Sequence, residues 1–229
     1  MPILLVMTII TALLTIFFSL LGMSRRGGYY PAHFWGKLWC ILMFVKVEVK
    51  GRENIDPKTS YVFVANHQGA YDIYLVYGYL NHNFKWMMKK SLEKIPFVGA
   101  ACRISKHIMV DRSSASAIQQ TMDSAKRILK GGMSLVVFPE GSRTPDGEMK
   151  KFKRGAFSLA TEFGLPIVPL TIDGSYDVMP KNTFRITPGK ISLTIHKPIY
   201  FDKVGADNKA LTEELLEKSY NVIKSGLPG

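Results

Sequence analysis

Acidic residues are scarce in this sequence of 229: 18 Asp and Glu stand against 30 Lys and Arg, a formal net charge of +12. That excess favours anionic partners, whether nucleic acid, lipid headgroups or phosphorylated substrates, and composition does not choose among them. Cysteine is scarcer still. Cys40 and Cys102 stand far apart in apolar stretches, with no CxxC pair and no Cys/His cluster. This excludes a zinc-finger-type site and a disulfide-framed secreted fold, and predicts two reduced, buried thiols. Also missing are GxSxG, a Walker A loop, GxGxxG and HExxH, so neither a metal nor an organic cofactor is expected.

Charge is absent altogether from Met1 to Ser24, and only Thr8, Thr11, Thr15, Ser19 and Gly22 interrupt the apolar run from Ile3 to Met23. About 20 apolar residues cross a bilayer as a helix. A cleaved signal peptide competes with that reading. It would have a basic start and a small-residue cleavage site, whereas the basic pair Arg25-Arg26 follows the run. By the positive-inside rule the pair, and the domain behind it, belong on the cytoplasmic side of a cell (inner) membrane. A second apolar stretch, Pro31 to Phe44, is too short to span comfortably. Its Trp35, Trp39, Lys37 and His33 suit the membrane interface; the alternative is an ordinary first core helix. Residues 1–44 thus read as membrane-anchoring helices and residues 45–229 as one domain. A membrane tie turns the basic excess away from nucleic acid and towards lipid.

Beyond Val45, strand and helix patterns alternate. VKVEVKG (Val45 to Gly51) alternates apolar and charged residues as a half-exposed strand does, and SYVFVANH (Ser60 to His67) is a continuous run typical of a buried one. GAYDIYLVYGYL has helical periodicity, FKWMMKKSL opens as a strand, and HIMVDR is a short strand. SASAIQQTMDSAKRILKGG is a helix closed by glycine. SLVVFPEG, RGAFSLATEFG, LPIVPLTI and KISLTIHKPI continue as strand, helix, strand and strand, and Leu211 to Lys224 is a closing amphipathic helix. This order predicts an α/β fold: a mixed, largely parallel central sheet flanked by helices, preceded by the hydrophobic helical segment.

Active sites of such sheets gather where strands end and helices begin. Two junctions stand out. In NHQGAYD, His67 falls at the carboxyl edge of a buried strand. Asp72, five residues on, can fold back to hold one ring nitrogen and fix the tautomer of a general base. The alternative is a helix-capping Asn66 with an incidental His and Asp. In FPEGSRT, Gly141 and its turn expose backbone N–H groups to an anion, while Arg143 supplies a forked cation matched to phosphate. Glu140 has the wrong sign for phosphate and is expected to orient an arginine or accept from a substrate hydroxyl. Lys150, Lys151, Lys153 and Arg154 follow and read as a solvated basic turn. A base with no nucleophile partner implies that the substrate supplies the nucleophile.

Together these segments resemble the glycerolipid acyltransferase family, in particular bacterial 1-acylglycerol-3-phosphate O-acyltransferases of the PlsC type. NHxxxxD matches Asn66 to Asp72, FPEG(T/S)R matches Phe138 to Arg143, and a V-P-I-x-P-like strand is similar to Leu165 to Leu170. The remaining motif, roughly GxxFIDR, is matched in part by Lys106 to Arg112, with Lys106 in place of the glycine and Met109 in place of Phe. KKSLEKIPFVG and FKRGAF between the motifs are similar too. The resemblance implies acyl transfer from a thioester, acyl-CoA or acyl-carrier protein, to the 2-hydroxyl of lysophosphatidic acid, with His67 and Asp72 catalytic. It assigns phosphate recognition to Arg112, Arg143 and Lys89, and the acceptor site to Glu140 and Gly141. Ile95, Phe97 and Val98 are candidates for an acyl channel, where each buried methylene contributes about 0.8 kcal/mol. Within the same chemistry the acceptor is alternatively another lysophospholipid, glycerol 3-phosphate or a lyso-aminolipid. A non-catalytic membrane protein that binds anionic lipid is the competing class.

Overall fold

The computed structural model describes residues 2–202 and 209–228; Met1, 203–208 and Gly229, which fall within the two segments read above, lie outside the described residues. In chain order the elements are α1 (Pro2–Phe18), α2 (Tyr30–Leu42), β1 (Lys46–Lys50), β2 (Val62–Ala65), α3 (Tyr71–Tyr79), β3 (Phe84–Lys89), α4 (Val98–Ile104) and β4 (Ile108–Val110). They continue as α5 (Ala115–Lys130), β5 (Ser134–Val137), α6 (Gly155–Phe163), β6 (Ile167–Asp173), α7 (Ser175–Val178), β7 (Lys190–Ile195) and α8 (Lys209–Ser225).

The seven strands form one sheet in the order β1-β7-β6-β2-β5-β3-β4. From β6 to β4 the five strands run parallel. At the other edge β7 turns antiparallel to β6 and holds β1 parallel to itself. The mixed, largely parallel sheet read from the sequence is therefore present. Every residue of β2 and β5 is buried, because helices cover both faces of the sheet and leave no side of these strands for polar residues. On one face, α2 and α3 contribute Cys40, Tyr71, Leu75 and Val76 to the core. On the other, α5, α6 and α8 contribute Ala125, Phe157, Leu215 and Ile223. The chain leaves β2 into the first layer and leaves its neighbour β5 into the second. The crevice at their carboxyl ends is thus a topological switch point.

The N-terminal helices join this domain closely. A Cβ on Gly36 would lie 2.5 Å from the carbonyl oxygen of Tyr74 and 2.9 Å from the amide nitrogen of Gly78, and one on Gly78 would lie 2.8 Å from that of Lys37. Only a glycine pair lets α2 and α3 approach so closely. α2 accordingly serves two surroundings: Ala32, Gly36, Trp39 and Cys40 are buried, while Phe34 and Ile41 are about two-thirds exposed, at 66% and 63%. The helical stretch Ile3–Met23 is long and apolar enough to cross a membrane, and Leu5, Ile10, Phe17 and Leu20 stand exposed along it. Trp35 Nε1 donates to Thr8 Oγ1 at 2.9 Å, tying α1 to α2. Beneath them the buried Lys85 donates to the Ser24 carbonyl at 2.9 Å. Burial, with the charges of Lys106 and Arg25 nearby, pushes that amine down to about 8.

Lys106 explains the imperfect motif around it. Its φ is +61°, the left-handed region that glycine enters without cost and other residues avoid. The backbone bend survives the substitution, and Ile108 to Val110 still form β4 against Met87 to Lys89.

Two buried imidazoles give the fold a pH dependence. His82 Nε2 meets Ser134 Oγ at 2.8 Å; His107 Nδ1 accepts from the Trp86 N–H at 3.1 Å, so its Nε2–H faces Tyr77 Oη at 3.0 Å. Burial holds both below the usual histidine range, His82 at about 4 and His107 at about 3. The unfolded chain takes up protons below about 6.5 and the folded one does not. The stability due to this difference is complete above about pH 6.5 and is lost as pH falls towards 4 and 3. Each group accounts for up to about 2 kcal/mol at pH 5. The Tm of the protein in detergent is expected to fall by several degrees between about pH 7.5 and pH 5; an unchanged Tm would contradict this account.

Candidate active site

The site begins with how β2 ends. Asn66 is not a helix cap. Its Nδ2 donates to the Ile172 carbonyl at 2.7 Å and its Oδ1 accepts from the Ile172 N–H at 2.8 Å. Ala65 is the last β2 residue paired with β6, at Leu170. The Asn66 side chain thus imitates a further rung of the β2–β6 ladder and fixes where His67 leaves the sheet.

His67 Nδ1 lies 2.7 Å from Asp72 Oδ2. A carboxylate only accepts, so Nδ1 carries the proton and Nε2 is left as the basic nitrogen. Asp72 is fully buried in the first turn of α3. The same Oδ2 also accepts from the Gly69 N–H at 3.0 Å, which holds the carboxylate in place. The imidazole stacks flat on Phe138, with centroids 3.9 Å apart and planes 7° from parallel, and Phe138 stacks in turn on Trp86. Ring orientation is therefore set by a hydrogen bond in the ring plane and an aromatic face beneath it.

Glu140 is the second buried carboxyl group, 5% exposed. Oε1 accepts from the His67 N–H at 2.8 Å and Oε2 from the Lys150 N–H at 3.0 Å. Burial pushes its carboxyl group above the usual carboxylate range, and the two N–H bonds partly offset this. Each oxygen thus holds one backbone N–H, and among the described residues Glu140 forms no ion pair with an arginine. The Thr144 N–H donates to the His67 carbonyl at 2.9 Å, so the two strand-end loops are laced together on both sides of the histidine.

Around this centre lie the cations. Gly141 has φ +79°, and a Cβ there would lie 2.9 Å from Lys153 Nζ and 3.3 Å from each terminal nitrogen of Arg112. Lys150 does not belong to that group: its ammonium donates to the carbonyls of Ser142 and Arg143 and to Ser142 Oγ, stitching the loop. Arg143 is half-buried and close enough to influence Tyr74 electrostatically. Lys89 closes β3, exposed. Ile95, Phe97 and Val98 precede and open α4, with Ile95 44% and Phe97 47% exposed. Phe97 adopts φ +61°, ψ −52°, and the Val98 N–H bonds the Pro96 carbonyl across it at 2.6 Å, a rare and strained γ-turn. Sequence reasoning did not pick out Phe138 as the shelf for the imidazole, although it opens the FPEGSR motif. It also set Lys153 aside with the basic turn, although Lys153 lies within the FKRGAF stretch. Among the described residues no cluster of His, Cys, Asp and Glu is arranged to hold a metal ion.

Fold and site together define an α/β protein built around a histidine–carboxylate pair at a sheet switch point. Comparison with known proteins narrows that class. The family described as Acyltransferase matches residues 46–173, over half the chain, and the chain belongs to that family. It is 33% identical over 201 residues to a 1-acyl-sn-glycerol-3-phosphate acyltransferase of Chlamydomonas reinhardtii, covering 86% of this chain and 58% of the relative. A protein of the same name from Pseudomonas aeruginosa is 32% identical, covering 73% of this chain and 67% of its own length. This chain spans about half the length of the chloroplastic relative from Brassica napus, at 51%, with 35% identity and 75% of this chain covered. The crystal structure of the 1-acyl-sn-glycerophosphate acyltransferase PlsC from Thermotoga maritima superposes with a TM-score of 0.78 at 31% identity, covering 93% of this chain and 85% of that one.

Proposed function

We propose that this protein is a 1-acylglycerol-3-phosphate O-acyltransferase, which transfers a fatty acyl group from a thioester of coenzyme A or acyl-carrier protein to the 2-hydroxyl of lysophosphatidic acid. The observation that carries the reading is the 2.7 Å contact of His67 Nδ1 with buried Asp72. It leaves Nε2 as a base one strand away from the loop bearing Arg143 and Lys153. Family membership and the names of the relatives support the same reaction.

In this mechanism His67 Nε2 removes the proton of the acceptor hydroxyl while that oxygen attacks the thioester carbonyl. The tetrahedral intermediate collapses, the carbon–sulfur bond breaks, and the proton on Nε2 passes to the departing thiolate. No acyl-enzyme forms and the imidazole ends as it began. Asp72 stabilises the transient imidazolium and keeps the tautomer. Arg112 and Arg143 take the phosphate, with Lys89 at the rim. Glu140 and Gly141 shape the acceptor site, Glu140 through the backbone it holds and Gly141 by leaving room. Ile95, Phe97 and Val98 contact the acyl chain. Residues 1–44 anchor the protein, the outer faces of α1 and α2 taking lipid contact, and residues 45–229 work on the cytoplasmic side.

The test is a panel of acceptors crossed with both donors, using protein purified in detergent. Phosphatidic acid is expected from lysophosphatidic acid, with one thiol released per acyl group transferred. Preference for glycerol 3-phosphate or a choline lysophospholipid would replace the acceptor, and no thiol release with any pair would reject the reaction.

A further inference from the structure

Lys153 lies on the loop entering α6, and its backbone N–H donates to the Pro139 carbonyl at 3.0 Å, which fastens this loop to the one bearing Glu140. Its ammonium is thereby brought over Gly141, where the Arg112 guanidinium arrives from the segment after β4. Two cations from separate parts of the chain converge on the space a side chain at Gly141 would fill, within about 6 Å of each other. No carboxylate among the described residues forms an ion pair with either. The acids beside Arg112 and Gly141 are engaged elsewhere: Asp111 binds Lys90 at 2.7 Å, and Glu140 accepts from two backbone N–H groups. Burial, together with the charges of Arg112 and Lys150, holds the Lys153 amine below its usual range, as an uncompensated cation should be.

Both side chains are exposed, so their mutual repulsion in water is modest, and an anion seated between them would turn it into attraction. Gly141 omits the side chain that would fill the gap, and its φ of +79° suits glycine. A phosphate monoester fits: the guanidinium fork takes two oxygens and the ammonium a third. A coenzyme or carrier-protein thioester holds its phosphates at the far end of the pantetheine arm. The acceptor holds its phosphate on the glycerol carbon next to the one whose hydroxyl reacts. A seat one residue from Glu140, which itself holds His67, suits the acceptor.

We propose that Lys153 completes the seat for the acceptor phosphate with Arg112, making it a specificity-determining residue for phosphate-bearing acceptors. The inference rests on the reading of this site as one that acylates such an acceptor. Lys153→Met is expected to raise the KM for lysophosphatidic acid about 10- to 100-fold, while the donor KM stays within about twofold. Lys153→Arg should recover most of the loss. An unchanged acceptor KM, a loss that arginine does not recover, or a rise confined to the donor KM would each overturn the assignment. If the parent protein fails to acylate lysophosphatidic acid, the proposed function falls and the seat is judged by binding alone. Glycerol 3-phosphate and inorganic phosphate should then raise the Tm of the parent but not of Lys153→Met, and equal shifts would overturn the seat as well.

Discussion

Phosphatidic acid formation by His67→Ala is expected to fall by roughly 10²–10⁴-fold in kcat, the range that positioned base catalysis supplies. The imidazole is held by three independent contacts: Asp72 at Nδ1, Phe138 against the ring face and the Glu140 bond to its backbone N–H. Alanine removes the base without disturbing Glu140, but it leaves the buried Asp72 short of one partner, so Tm should fall by a few degrees while turnover collapses. Asp72→Asn probes the same base by another route. An amide in place of Oδ2 can donate to Nδ1, which stabilises the opposite tautomer with the proton on Nε2, and that ring cannot accept a proton from the hydroxyl. A kcat loss of roughly 10³–10⁴-fold is expected. Retention of turnover within about threefold by His67→Ala would remove the histidine as base, and by Asp72→Asn would remove the carboxylate's hold on the tautomer.

The sheet was legible strand by strand, because buried parallel strands leave continuous apolar runs such as VFVA and SLVV. Their lateral order was not. β5 inserts between β2 and β3, a long-range pairing with no local signal, and that order alone brings His67 beside Glu140. The reversal at β7 was equally hidden, since alternation in KISLTI reports a half-exposed strand but no direction. α4 is only seven residues long and starts at the strained Phe97, too short for periodicity to stand out. A cap was the alternative left open for Asn66, because a side-chain amide imitating a ladder rung depends on Ile172, more than one hundred residues away. The His67–Asp72 pair was visible because both residues are local to one strand-to-helix turn. Lys153 was not, because a lysine in a basic run looks solvated until the Pro139 bond folds it back over Gly141.

Glu140→Gln is expected to lower kcat about 10- to 100-fold while leaving the acceptor KM within about threefold, by loss of one hydrogen bond to a charged group worth roughly 1.5–3 kcal/mol. The carboxylate accepts from two N–H donors at once, one on each loop. Glutamine has one acceptor oxygen, so its NH₂ must face either His67 N–H or Lys150 N–H, donor against donor. In one rotamer the histidine backbone is released; in the other the Lys150 N–H is, while Lys153 keeps its own bond to the Pro139 carbonyl. The first outcome moves the base relative to the hydroxyl, and reactions that depend on positioning lose rate for displacements of about 1 Å. A carboxylate that bonded the acceptor directly would behave differently, raising KM with kcat largely kept. Glu140→Asp separates the two cases further, since it keeps both acceptor oxygens but withdraws them by one methylene, and it should lose kcat as Gln does. If either variant instead raises the acceptor KM tenfold at constant kcat, Glu140 belongs to the substrate and not to the frame that holds His67.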